Sequence, residues 1–479
     1  MSATLVGGGF LNGTSEMVVT SGLLWTLPPF GICFGLIIGG LLFAPKMRSR
    51  RYCTMLDPMQ ESYGTFVTSL IYLSSLFGDI LWSAAILAAL GSTLYVITGM
   101  SVVLSVIVSA AVAILYTLIG QMISVAYTDI VELFFLAVGL VVVTPFVLTH
   151  EEVNSKLADS IANSTVSWLG QLEPATTALW LDLLIAMTLG SIPWQSYFQR
   201  VLSVTSVKEA RTLSILAGLT ALLFAVPPVC LGVVGATVDW VETGLNETVY
   251  THPSLTLPLV IKQFTPPAVS VLGLGAIAAA VMSSTDSAIL GSSSMFTHNV
   301  YRKLRPHATS LELSLALKIC ILLIGSISAA VALLSPSNTI AGLFVLAADI
   351  VFVAVLPQLI CSLYIPISNG YGALTGYVLS LVLRLCTGEE AIGIPVLIAF
   401  PGYNPAMGGQ LFPFRVFIML CSVISTVLVS LACQQFLLKL PPRLDVLKCV
   451  HPYWVDNSIN SLTSGDNGSI ALDDVFKKN

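Results

Sequence analysis

The chain has 479 residues, 56% of them hydrophobic and 9% charged, with a net charge of −5 and a mean hydropathy of +0.90. Soluble domains carry roughly 25% charged residues, so a chain this poor in charge cannot cover its own surface in water. The composition argues against a soluble protein and for an all-α, polytopic membrane protein.

Read from its start, the chain opens on a break. Val6-Gly7-Gly8-Gly9-Phe10-Leu11-Asn12-Gly13-Thr14 lies in apolar surroundings. Too few apolar residues precede it for the roughly 20 that a spanning helix needs. We read this element as half of a helix whose beginning is absent from the sequence. No cleavable signal peptide is visible. Spans are then predicted over 23–44, 64–90, 94–119, 123–149, 178–200, 211–237, 267–299, 312–335, 339–363, 371–388 and 412–438.

The 178–200 span is also broken, at Leu189-Gly190-Ser191-Ile192-Pro193-Trp194-Gln195. Interrupted backbone is tolerated in a bilayer only where it faces protein or lines a cavity. One interrupted helix in each half is the sequence pointer to the site of inverted-repeat transporters. Gly and Pro are also simply commoner in transmembrane helices, but two breaks at matching positions favour the repeat. The expected fold is a LeuT-like pair of inverted five-helix repeats plus extra C-terminal helices.

Positive charge sets the orientation. Lys46, Arg48, Arg50 and Arg51 follow one span, Arg200, Lys208 and Arg211 another, and Arg302, Lys303 and Arg305 a third. With Lys439, Arg443, Lys448, Lys477 and Lys478 they all fall on one side, which is therefore cytoplasmic. The sequons at Asn163 and Asn246 fall in the two long loops assigned to the outside, where glycosylation is expected. Those at Asn12 and Asn467 are discounted, as intramembrane and cytoplasmic. Residues 1–440 form the expected transporter domain, a partial first helix plus eleven spans, and 441–479 a cytoplasmic, mostly disordered tail.

Three features carry candidate chemistry. Ser283 and Ser284 offer adjacent hydroxyls on one helix, and broken-helix carbonyls near Ser2 and Leu5 would complete an oxygen shell for sodium; such serines also serve as packing residues. Trp82, Trp194 and Phe344 near the breaks suit a quaternary ammonium through cation–π attraction, with core packing as the alternative. Asp79, Asp129, Glu132, Asp182, Asp286 and Asp349 are acids within spans, where carboxylates face a cavity or a partner. Asp79 precedes Trp82 by one turn and shares its face. Arg384 and Lys318 are candidate partners that sequence cannot pair, and Asp129 and Glu132 are read as caps or as facing cytoplasmic water. The nine cysteines are scattered without a C-x-x-C pair, so neither metal site nor disulfide framework is indicated. Nothing resembles a nucleophile–base set, a phosphate loop or an ATP motif. No enzyme, cofactor or nucleic-acid partner is expected, and uphill transport would draw on an ion gradient.

At these residues the chain resembles a known family. Gly7 to Thr14, Pro45-Lys46-Met47-Arg48-Ser49, Thr54-Met55-Leu56-Asp57-Pro58, Ser124 to Asp129, Ile192-Pro193-Trp194-Gln195, Tyr197 to Leu202 and Val281-Met282-Ser283-Ser284 are similar to the high-affinity choline branch of the sodium/solute symporters, out to about Asp445. The resemblance implies a thirteen-helix protein with an outside N-terminus and sodium- and chloride-dependent choline uptake feeding acetylcholine synthesis. It implies a multi-pass plasma-membrane protein, at presynaptic membranes and synaptic vesicles. Carried over by motif, sodium would meet carbonyls near Ser2, Leu5 and Ala280 and the Ser283 and Ser284 hydroxyls. The choline cage would include Trp82, Trp194 and Phe344, the last where the branch has tryptophan. Asp182 and Asp349 match family acids, for which the resemblance leaves both a support role in coupling or folding and direct contact open.

Two cage positions depart from the branch: Leu5 stands where it has tryptophan, and Ile32 where it has tyrosine. The reading is therefore a sodium-coupled choline symporter working by alternating access in the lipid bilayer. The alternatives are a sister carrier for another small organic solute and a non-transporting partner that kept the fold.

Overall fold

The computed structural model describes residues 1–162, 167–240, 252–334, 340–389, 393–404 and 409–437, together with Asp445, Leu447 and Cys449. Among these the fold is helical, with two isolated β-bridges, Glu389 to Ile394 and Asn404 to Gly409.

The first break separates α1 (Ser2–Leu5) from α2 (Gly8–Thr20). There follow α3 (Leu23–Ser49), α4 (Asp57–Thr98), α5 (Val102–Gly120) and α6 (Tyr127–Leu148), and a short α7 (Glu151–Ala162). The second half begins with α8 (Thr177–Gly190) and α9 (Gln195–Val201), which bend by 44° across the second break. It continues through α10 (Val207–Thr237), the short α11 (Thr256–Phe264), α12 (Pro267–Leu304), α13 (Ser310–Leu334) and α14 (Ile340–Tyr364). The additions are α15 (Gly370–Cys386) and α16 (Phe414–Leu437). Among the described residues nine helices are long and apolar enough to span, ten with the bent pair, and α15 is a shorter apolar helix.

Several predicted bounds move. The turn expected near 90–94 lies at Gly99–Ser101, where Gly99 takes φ +72° and ends α4. Ser101 Oγ then accepts the Leu104 amide at 3.3 Å and starts α5. α4 also begins earlier than residue 64, with Pro58 in its first turn and a kink at Gly64, φ 79°. Tyr116 Oη donates to Thr128 Oγ1 at 2.6 Å. Twelve residues of straight helix would separate them by about 18 Å, so α5 and α6 lie side by side.

The helices pack in two groups. One holds α4, α5, α6, α12 and α13; the other holds α2, α3, α8 and α10. α14 lies between them, against α4 on one side and α2 and α8 on the other. It is π-helical over Val351–Val355, an irregularity that often marks functional sites. Two of the basic ends predicted to share one face lie together, that of α3 and the one after α9. Arg48 Nη2 donates to Thr205 O at 3.4 Å. Lys46 Nζ donates to Leu363 O at 3.1 Å and sits 3.6 Å from the Tyr364 ring centre.

Candidate functional site

The second break builds its own support. Pro193 has no N–H, so the helix cannot continue through it, and the last carbonyls of α8 need other donors. Ser191 Oγ donates to Thr188 O at 2.8 Å, and Trp194 Nε1 to Gly190 O at 2.7 Å. The second bond fixes the Trp194 ring. Trp82 then packs against Trp194 with ring centres 4.9 Å apart and against Phe344 at 4.8 Å. All three are buried. Glycines allow the approach: a Cβ on Gly78 would lie 3.6 Å from the Trp194 ring, and one on Gly9 would lie 3.4 Å from Phe344. Leu5 and Ile32 are buried in the same core and add no ring.

The first break meets α12. A Cβ on Gly7 would fall 2.0 Å from Ser284 Oγ and 3.5 Å from Ala280 O, so only glycine fits there. Ser284 Oγ donates to Ala3 O at 3.2 Å, and Ser287 and Thr4 hydroxyls lie 3.4 Å apart. The Ser2 carbonyl accepts the Val6 amide at 2.8 Å. Ser283 Oγ donates to Asp129 Oδ1 at 2.6 Å, and Arg200 Nη2 reaches Asp129 Oδ2 at 2.6 Å. Asp129 is therefore neither a cap nor water-facing, as sequence suggested. A buried carboxylate is far better satisfied by a guanidinium.

A third cluster joins the added helices to the core. Val416 N–H donates to Asp182 Oδ1 at 2.8 Å, and Arg415 Nη1 reaches Asp182 Oδ2 at 3.3 Å. Arg415 Nε also lies 3.1 Å from Asp349 Oδ2, and Arg384 Nη2 lies 2.8 Å from the same oxygen. Arg384 further pairs with Glu389. Asp182 and Asp349 thus belong to one network bridged by Arg415, a residue that sequence reasoning missed. The signal was available: a charge within the first residues of an apolar span almost always has a partner. Of the two predicted partners, Arg384 pairs with Asp349, whereas Lys318 is exposed.

Residues 1–380 match the model of the sodium:solute symporter family. The high affinity choline transporter 1 of Homo sapiens is 40% identical over 99% of this chain and 84% of its own length. The high-affinity choline transporter 1 of Caenorhabditis elegans is 42% identical over 94% of this chain and 79% of its own. The chain belongs to the sodium:solute symporter family. This symporter is accordingly a membrane transporter and not an enzyme. A solved structure of a Na+-coupled sialic acid symporter, substrate-bound and outward-open, superposes with a TM-score of 0.69 at 16% identity, over 90% of this chain and 88% of that one. The expected LeuT-like fold is borne out by that likeness.

Asp79 stands apart from the symporter's paired acids. It is 2% exposed, and its Oδ2 is buried without a hydrogen-bond partner. Glu16, by contrast, accepts the Ile340 amide at 3.1 Å and so caps α14. Asp286 accepts the Thr117 hydroxyl at 2.6 Å. Asn163 and Asn246 lie outside the described residues, as does most of 441–479. Of that segment, Asp445 accepts a hydrogen bond from Tyr371 Oη at 3.1 Å, and the Leu447 amide donates to Tyr371 Oη at 3.0 Å.

Proposed function

We propose that this symporter couples sodium entry to the uptake of choline, held by Trp82, Trp194 and Phe344 and moved by alternating access. The observation that carries the reading is the three-ring cluster seated on the second broken helix, in a chain whose relatives are named for choline. Aromatic faces bind a quaternary ammonium without a carboxylate, each contributing about 0.5–2 kcal/mol. The rings now touch one another, so a trimethylammonium group enters as they separate. That separation requires α14, which carries Phe344, to move relative to α4, which carries Trp82.

Sodium is assigned to the crossing of α1 and α12, with Ser283 and Ser284 hydroxyls and carbonyls near Ser2, Leu5 and Ala280. Gly7 supports this, because its missing side chain lets the break approach Ser284. Ordering the first break by sodium would set α2 against α14 and so prepare the rings. Asp182 and Asp349 act as supports through Arg415. We further assign chloride dependence, a plasma-membrane location at presynaptic membranes and vesicles, and a role in supplying acetylcholine synthesis. The 1–440 segment is the transporting unit and 441–479 a cytoplasmic tail.

Labelled choline uptake, in sodium against lithium, tests the reading, with Trp194→Ala as control. Sodium-dependent uptake that the substitution abolishes is expected; sodium-independent uptake, or none at normal surface delivery, would overturn it. A second reading is favoured by Leu5 and Ile32, which remove two rings from the cage: a sister carrier for another small organic solute. Competition by a panel of solutes against choline separates the two.

A further inference from the structure

Resting on the choline reading, we infer that Asp79 forms a second station for the substrate's ammonium group, one helical turn from the aromatic cage on its cytoplasmic side. Most of the buried acids are paired. Asp129 is paired with Arg200, and Asp182 and Asp349 with Arg415 and Arg384. Glu16 accepts a helix-terminal amide. Asp79, Asp286 and Glu132 have no basic partner among the described residues, and each carries a buried oxygen without a hydrogen bond at normal distance. Asp286 is held by the Thr117 hydroxyl, and Glu132 lies away on α6. Asp79 alone stands on the helix of the cage, with the Ser292 hydroxyl as its polar neighbour. An intramembrane carboxylate without a partner marks a functional site by default, with a passing ion as the missing charge.

Its surroundings fit a polar station and not a packing accident. Ser292 of α12 reaches the Asp79 carboxyl with its side chain, and the Ser83 hydroxyl is buried without a partner. Ser83 follows Asp79 by four residues, on the same face of α4. Polar atoms of α4 and α12 thus collect about the Asp79 carboxyl. Buried carboxylates are almost always paired, so a charge-neutralising occupant fits this site.

The position selects the occupant. Asp79 precedes Trp82 by three residues, so the two side chains rise from neighbouring points on one face. Its neighbour Gly78 packs under the Trp194 ring. α4 begins beside the basic cytoplasmic loop, so Asp79 lies inward of Trp82. A cation leaving the rings toward the cytoplasm loses its cation–π contacts, and the carboxylate replaces them. The ligand class is a small organic monocation with a quaternary ammonium. The Ser283–Ser284 region assigned to sodium meets α1 instead.

The test compares choline with 3,3-dimethyl-1-butanol, its uncharged carbon isostere, as competitors for labelled choline in membranes normalised to folded transporter. The expected result for Asp79→Asn is a loss of about tenfold in choline affinity, because a charge–charge term of that size is removed, with the isostere unchanged. Asp79→Glu should keep the wild-type ratio. Asp79→Ser gives a second neutral variant should Asp79→Asn fail to fold. An equal shift for both ligands, or none for either, would overturn the station while leaving the choline reading intact. Failure of the wild-type chain to bind choline at all would overturn both. A change confined to sodium half-saturation would reassign Asp79 to the ion and overturn the station.

Discussion

Two buried carboxylates, Asp349 and Asp79, frame how this protein uses charge in the membrane. Asp349 touches two guanidiniums and is tied through Arg415 to Asp182. Each of the two has one oxygen without a hydrogen bond, but Asp79 has no basic partner among the described residues. Both are nearly inaccessible, yet they stand in opposite environments. The first is locked into a network that spans α8, α14, α15 and α16; the second sits beside rings that must part. Fixed charges hold the framework, and an unpaired charge is left where something moves.

Substitutions at paired and unpaired acids and at the breaks differ in how much they cost. Arg415→Ala leaves Asp182 and Asp349 short of a counter-charge, and breaking a buried pair costs about 3–5 kcal/mol. A clear drop in the thermal midpoint of the detergent-solubilised protein is expected, partly restored by Arg415→Lys. Gly7→Ala drives a methyl into Ser284, an overpacking worth about 1–3 kcal/mol. It should raise the sodium concentration for half-maximal uptake well before it alters choline affinity at saturating sodium.

A gain is expected from the departures at the cage. Leu5→Trp and Ile32→Tyr should each strengthen choline binding by about 0.5–2 kcal/mol, read as a lower inhibition constant. Unchanged binding would show that these positions do not face the ammonium. Trp194→Phe keeps an aromatic face and removes the bond to Gly190 O, a change of about 1 kcal/mol. It should weaken uptake modestly compared with Trp194→Ala. The smallest effect is on stability at Asp79. Because Asp79→Asn breaks no ion pair, its thermal midpoint should match or exceed that of the wild-type chain, in contrast to Asp349→Asn.

Much of the molecule was legible before any coordinates. Both breaks fall where Gly7 and Gly190–Pro193 put them, since those residues interrupt a helix whatever surrounds it. The rings of Trp82, Trp194 and Phe344 were selected from their nearness to the breaks, and they meet. The turn at Gly99 was misplaced, because apolar residues run on without a polar marker between α4 and α5.

The unpredicted part is the pairing. Arg415 with Asp182 and Asp349, Arg200 with Asp129, and the Glu16 cap on α14 each link residues more than fifty positions apart. In a soluble helix the polar face announces which side is buried. Here lipid and protein interior are equally apolar, so hydrophobicity does not report how a helix is rotated. Composition and backbone chemistry by themselves determined that this chain spans a membrane repeatedly and where its helices break. Only the packed helices decided which charges neutralise one another and which carboxylates are left without a basic partner, because those choices depend on rotation and register between elements.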